Sequence, residues 1–302
     1  MSRRFFTLVN PVAGGGRCGK LAPPALEKLR AAGLELEMAE SHRPGEIAQL
    51  AREAYARGWR QFLAVGGDGT SYEIINGLFP GAENAAGERP ALGFLPLGSG
   101  NSFLRDFSDR GYEHAVAALL AGKRRACDVL RLRHRDGVLH YINLLSLGFA
   151  ADVAFTRHRK FKNWGELGYF LALLLCLIRL DRRAFPVRLG DDKEFDRRRC
   201  LLLSFNNSKF TGGKMMIAPL ADASDGLVEY VRWGPIGRIG LIRNIRPLYD
   251  GTHITHPLAH RRGAQRIEFD LNGPVNVMVD GEVLTLHCER LEVLPGAIDV
   301  FV

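Results

Sequence analysis

Three short loops carry the residues whose types and spacing could do chemistry. They read NPVAGGGRCGK at 10–20, VGGDGT at 65–70 and LPLGSGN at 95–101. Each follows an apolar run of strand length. Glycines after a strand let backbone N–H groups approach a polyphosphate, and a following helix N-terminus favours negative charge. One such loop is weak evidence; three at the carboxyl edge of a parallel sheet mark a ligand site. Asp68 is the lone acid among the glycines of its loop. A carboxylate there repels a nucleotide unless a cation intervenes or a proton has to be taken. A plainer use is open as well, a turn Asp capping a helix that begins near Ser71. The two companion loops favour catalysis or magnesium.

Two familiar alternatives fail on the residues. Gly14, Gly19 and Lys20 have P-loop spacing, but Leu21 stands where Ser or Thr would hold magnesium, and Pro23–Pro24 suit that helix poorly. LGSGN matches half of a dinucleotide fingerprint, yet no strand–GxGxxG–helix unit completes it. Further along, VDGE (279–282) places Asp280 and Glu282 around a DG pair, a strong hairpin-turn signal.

The elements that must position these loops follow from the pattern. Strands are expected at 4–10, 34–40, 61–65 and 91–97, and helices at 22–32, 44–57, 73–79 and 112–121. That alternation implies βαβ units and a parallel sheet. After about Cys127 the texture changes to strands at 127–134, 138–149, 198–208, 227–233, 266–271, 275–281 and 282–288, with helices only near 164–180 and 236–248. This suggests a second, mostly antiparallel domain.

The 302 residues are 46% hydrophobic and 25% charged, ordinary values for a soluble globular protein. MSRRFFTLVN reads as a strand and not as a secretory signal. Five dispersed cysteines give neither a disulfide framework nor a zinc site, which suits a reducing cytoplasm. The net charge of +8 is uneven. Residues 1–127 hold 16 Lys/Arg against 13 Asp/Glu, whereas 157–199 hold 12 against 6. That basic stretch contains the apolar run LGYFLALLLCLI (167–178), too short and too closely flanked by charge to span a bilayer. It reads either as a buried core helix or as a segment meeting a membrane, with Arg157, Arg159, Lys160, Lys162, Arg179, Arg182 and Arg183 toward anionic headgroups. Aromatic interleaving is thin and no nucleic-acid motif appears, so no nucleic-acid partner is expected.

Taken together, NPVAGGG, GGDGTSYEIINGL, LGFLPLGSGNSF, NLLSLGFAADV, GGKMMIAPLADASDGLVEY and VDGE resemble the diacylglycerol kinase catalytic family, which includes bacterial lipid kinases and sphingosine and ceramide kinases. GGDGT alone is shared with NAD kinases and phosphofructokinase-like enzymes; its order with GSGN, SDGL and DGE is specific. The resemblance implies α/β plus β architecture: a phosphofructokinase-like three-layer nucleotide domain (1–126, with 293–302 returning to it), then a β-rich sandwich domain for the lipid (127–292). It implies ATP between the domains and magnesium as metal. Asn10, Pro11, Val12, Ala13, Gly14, Ser41, Gly66, Gly67, Asp68, Gly69, Thr70, Gly98, Ser99, Gly100 and Asn101 would line the nucleotide site. Glu282 would accept the proton of the lipid hydroxyl, with Asp68 and Asp280 as further catalytic carboxylates. A structural magnesium would sit at 221–227, with Asp225 as carboxylate ligand and backbone carbonyls at Asp222 and Leu227; an acidic, oxygen-rich loop suits a hard cation.

Two positions depart from the bacterial pattern: Tyr72 stands where Asn is usual, and Ser102 where an acid is usual. GSGN is closer to sphingosine kinases. The expected activity is ATP-dependent phosphorylation of a primary hydroxyl on a membrane lipid, diacylglycerol or a sphingoid or ceramide-type lipid. The enzyme is expected to be cytoplasmic and bound peripherally to an anionic membrane, and the resemblance makes a homodimer plausible. The rival readings are a soluble NAD kinase-like enzyme and a non-catalytic nucleotide-binding regulator on the same fold.

Overall fold

The computed structural model describes residues 3–83, 87–161, 164–212 and 214–302. Lys162 of the basic stretch and Gly213 of the GGKMM segment lie outside the described residues. The chain forms two compact units, Met1–Val129 with Leu294–Val302, and Leu130–Val293. The change of pattern near 126 falls inside one strand, β5 (Arg124–His134).

In the first unit, β1 (Arg4–Val9), β2 (Glu35–Glu40), β3 (Gln61–Gly66) and β4 (Ala91–Pro96) pair in parallel in the order β2-β1-β3-β4. The end of the Cys288–Phe301 strand adds beyond β4, also in parallel, with Asp299 opposite Ala91. Parallel strands buried on both faces read as continuous apolar runs, and β3 is buried along its whole length. Val9 pairs with Val65, and Val65 with Leu95, so the three glycine loops leave the sheet at one edge. On one face, Phe5, Val9, Leu63, Val65 and Leu95 share a core with Cys18, Leu26 and Leu29 of helix α1 (Arg17–Ala31) and with Leu119 of a later helix, Tyr112–Ala121. Helices α2 (Glu46–Ala56) and α3 (Asp68–Ala82) pack against one another and contact β1 and β3.

Two helix starts differ from expectation. Helix α1 begins at Arg17, not at the Pro pair, which lies inside it. Gly16 turns left-handed at φ 87°, and the first-turn amides of Cys18 and Gly19 donate to the carbonyls of Ala13 and Pro11. The loop itself closes the turn. Helix α3 begins at Asp68, five residues earlier than the apolar periodicity suggested, because the Thr70 and Ser71 amides donate to the Gly67 carbonyl.

The second unit carries a six-stranded antiparallel sheet. Its order is Ala259–Ala264, Val228–Trp233, Leu202–Asn206, Leu144–Gly148, Val275–Val279, Glu282–Leu286. Phe205 of this sheet meets Phe269 of the Arg266–Phe269 strand edge-on at 5.2 Å, the contact of a second layer that includes Val187–Leu189 and Cys288–Glu292. Three differences from expectation appear here. The run 138–149 is not one strand but two, Gly137–Tyr141 and Leu144–Gly148, broken at Ile142–Asn143. A helix absent from the sequence reading, α4 below (Phe149–Lys160), follows Gly148, whose φ of 82° ends the strand. The helix expected near 236–248 is two short ones, Arg238–Arg243 and Ile245–Asp250.

Gly77 fixes the approach of α2 to α3. A Cβ there would lie 2.4 Å from the Ala48 carbonyl oxygen and 2.8 Å from the Ala51 Cβ. In an open helix, replacing glycine by alanine gains up to about 1 kcal/mol. Here Gly77→Ala is expected to lose about 2 kcal/mol by overpacking. Denaturant unfolding checks this, and a more stable variant would contradict it.

Candidate active site

The first loop is tied to its neighbour at once: the Asn10 amide donates to the Val65 carbonyl at 3.0 Å. The Asn10 side-chain oxygen is buried and finds no partner among the described residues. Gly14, Gly15 and Gly16 have consecutive positive φ of 62°, 69° and 87°, a backbone shape that side chains resist. Pro11 and Ala13 help close α1, while Val12 is exposed. Ser41 is buried at the end of β2, and its hydroxyl donates to the Val9 carbonyl. That bond ties the end of β2 to the end of β1.

The second and third loops are in backbone contact. The Gly66 carbonyl accepts the amides of Leu97 and Gly98, each at 2.8 Å. A Cβ on Gly98 would lie 2.4 Å from the Gly67 Cα, one on Gly66 2.2 Å from the Thr70 hydroxyl, and one on Gly100 2.7 Å from Asp68 Oδ2. These glycines thus serve the packing of loop on loop. Asn101 takes a left-handed φ of 51°, and its side-chain amide donates to the Pro96 and Gly98 carbonyls. Ser99 is exposed at the bend, and Gly69 lies in the first turn of α3. The Thr70 hydroxyl, like the Asn10 oxygen, is buried without a partner among the described residues. Two such orphans on one loop edge are what a polar ligand would satisfy.

Asp68 does not cap its own helix. Its two carboxylate oxygens accept the Ser102 amide at 2.9 and 3.0 Å. Burial pushes the carboxyl above its ordinary value, and hydrogen bonds from Ser102, Phe103 and Asn101 pull it back. The Ser102 backbone amide and its side chain both hydrogen-bond the Asp68 carboxylate, so the serine that stands in place of an acid adds to this tie.

In the second unit, Asp280 and Gly281 form the tight turn between Val279 and Glu282, with φ of 47° and 90°. Asp280 is 2% exposed. Its carboxylate accepts the amides of Ile142, Asn143 and Leu144 at 3.0, 3.1 and 2.9 Å. That is the cause of the strand break at 142–143. Burial raises the nearby Tyr141 hydroxyl well above its usual value, and the Asp280 charge adds to the effect. Asp280 therefore positions the strand break at 142–143 against the hairpin turn. Asn207 extends the cluster, its side chain donating to the Ile142 carbonyl and its amide to the Asn143 carbonyl, both at 2.8 Å. Ser208 bonds the Asn143 side chain. The sequence reading did not single out Asn143, Asn207 or Ser208; their one signal is the polar run NNS closing an apolar strand. Glu282, next to the turn, is exposed.

The 221–227 loop is closed by short-range bonds. Asp222 accepts the Ser224 amide and hydroxyl, and Asp225 accepts the Leu227 amide at 2.9 Å. No group of three or more His, Cys, Asp or Glu suited to a metal occurs among the described residues. The loop offers two Asp carboxylates, a Ser hydroxyl and backbone carbonyls, all oxygen donors of the kind a hard cation takes. Elsewhere in the unit, a cavity of about 350 Å³ is lined by Phe149, Phe155, Leu175, Arg159, Arg179 and Asn276, among others.

Residues 4–132 match the diacylglycerol kinase catalytic domain, and residues 143–302 match the YegS C-terminal NAD kinase beta sandwich-like domain. A protein named probable lipid kinase YegS-like from Chromohalobacter salexigens is 30% identical over 91% of this chain and 86% of its own length. A Mycobacterium tuberculosis protein named diacylglycerol kinase is 26% identical over 97% of this chain and 93% of its own. A solved Bacillus anthracis structure assigned to the diacylglycerol kinases shares the fold, with a TM-score of 0.76 at 21% identity, covering 99% of this chain and 95% of that one. The chain belongs to the diacylglycerol kinase family of YegS-like lipid kinases. It is a lipid kinase, and ATP is the co-substrate that this family implies.

Asp280→Asn places an amide where three N–H donors need an acceptor. The expected loss is about 2–4 kcal/mol of stability, read by urea unfolding. Wild-type stability in that variant would refute the positioning role.

Proposed function

We propose that the enzyme transfers the γ-phosphoryl group of ATP, with magnesium, to a primary hydroxyl of diacylglycerol or of a sphingoid or ceramide-type lipid. The observation that carries this reading is the joined loop edge, with orphaned Asn10 and Thr70 oxygens beside glycines that tolerate no side chain. The amides of Gly14 and Gly15 and the 66–70 and 98–101 loops would hold the phosphates. Magnesium, once bound, neutralises charge on phosphate oxygens. Asp225, with the Asp222 and Leu227 carbonyls, would hold a second, structural ion. The acceptor oxygen attacks the γ-phosphorus while its proton passes to Glu282, and ADP leaves. Asp68 acts by holding the loop that contacts the nucleotide and by orienting magnesium. The apolar wall of the cavity at Phe149, Phe155 and Leu175 supports a lipid acceptor. The basic, apolar 157–183 stretch supports binding to the surface of an anionic membrane.

The test is transfer of labelled phosphate from ATP to diacylglycerol, a sphingoid base, ceramide, phosphatidylglycerol and, as the soluble rival, NAD. A labelled lipid and unlabelled NAD are expected; label in NAD alone would overturn the reading. Glu282→Gln should lower kcat by about 10²–10⁴-fold with ATP binding retained, whereas Asp68→Asn should lower kcat and weaken ATP binding together. Wild-type turnover in Glu282→Gln would remove that residue from the mechanism.

A further inference from the structure

Residues 238–249 were not part of the membrane-facing stretch read from the sequence. Their exposure is unusual. In the two short helices, Ile239 is 67% exposed, Ile242 53%, Ile245 45% and Tyr249 51%. Isolated exposed apolar residues need no explanation, but a contiguous patch does. Across from them stands helix α5 (Gly165–Ile178), which exposes Leu167, Phe170, Leu174 and Ile178. Their spacing of three, four and four residues puts them on one face of the helix. Ala172, about half a turn away, is fully buried.

The two segments belong together. Arg238 donates to the carbonyls of Leu177 and Ile178 at 3.0 and 2.6 Å, which closes the end of the long helix on the start of the short one. Leu177, Leu241 and Leu248 lie in one core cluster with Trp233 and Ile236. The inward sides are satisfied by one another, and the outward sides carry the exposed residues.

Charge decides what covers this face. Arg238, Arg243 and Arg246 are exposed within the short helices, and Arg157, Arg159, Lys160, Arg179 and Arg182 are exposed beside the long one. The acid that ends the 238–250 segment, Asp250, has its carboxylate tied to the Thr252 amide and hydroxyl. A second copy of the chain would bring this basic rim against itself. A layer of anionic headgroups neutralises it while taking up the apolar side chains. No helix among the described residues is long and apolar enough to cross a membrane, so a lipid kinase must meet its bilayer-borne substrate at such a surface.

We propose that the 238–249 helices and the outer face of Gly165–Ile178 form one docking surface for an anionic bilayer, with Ile239, Ile242, Ile245 and Tyr249 entering the headgroup layer. The proposal rests on the membrane-surface reading above and adds to it a segment some 60 residues further along the chain. The experiment is flotation with vesicles of phosphatidylcholine, with and without phosphatidylglycerol, at low and high salt. Wild type, Ile239→Ser/Ile242→Ser and Phe170→Ser/Ile178→Ser are compared. All three proteins are also assayed on a short-chain, water-soluble diacylglycerol and sized by ultracentrifugation.

Wild type is expected to float only with phosphatidylglycerol and less at high salt. Each double variant should bind at least about tenfold more weakly, with activity on the soluble acceptor unchanged. If wild type floats with neither vesicle, the membrane reading itself fails. If it floats and Ile239→Ser/Ile242→Ser floats equally, the added segment is refuted while the basic helix stands. If that variant instead turns a dimer into a monomer with flotation unchanged, the face is a contact between copies and the proposal is overturned.

Discussion

The Asp68 carboxylate holds both its oxygens on the amide of Ser102, thirty-four residues away. The edge that carries the glycine loops is organised around that tie. The tie draws the GSGN loop against the GGDGT loop until Gly67 and Gly98 touch backbone to backbone. At the same edge the buried oxygens of Thr70 and Asn10 have no partner among the described residues. A charge this enclosed is costly unless amides receive it, and three consecutive ones, from Asn101 to Phe103, do so. The acid that seemed foreign among the loop glycines is part of the frame that holds them.

The second unit repeats the device. Asp280 is more enclosed than Asp68 and is likewise met by three successive amides, at 142–144. Its bonds pin the hairpin turn to the strand break and so set where Glu282 begins its strand. In each unit a carboxylate spans a long stretch of sequence to fix a loop. Glu282, exposed at a turn whose neighbour is immobilised, has the access that Asp280 lacks.

Much of this was legible in the sequence because it is local. The apolar runs of β1, β3 and β4, the alternation with helices and the DG turn all follow from short-range pattern. So did the choice of Asp68 as an unusual acid. What it bonds was not legible, since the contacts with Ser102 run through a backbone amide that every residue type but proline supplies. The break at Ile142–Asn143 was hidden for the same reason: its cause lies some 137 residues downstream, in Asp280. The glycines were read for phosphate, and packing of loop on loop is a requirement that only coordinates reveal. Helix Phe149–Lys160 escaped because the preceding strand pattern runs into it, and only the left-handed Gly148 separates the two.

The central claim is that the Asp68 carboxylate makes the two glycine loops one structural unit. Amide hydrogen exchange at Ser102 tests it most directly, in the wild type and in Asp68→Asn, with the β3 amides as internal reference. The account predicts a protected Ser102 amide that exchanges at least about tenfold faster in the variant, while β3 is unchanged. An amide that is open in the wild type, or equally protected in Asp68→Asn, would contradict it.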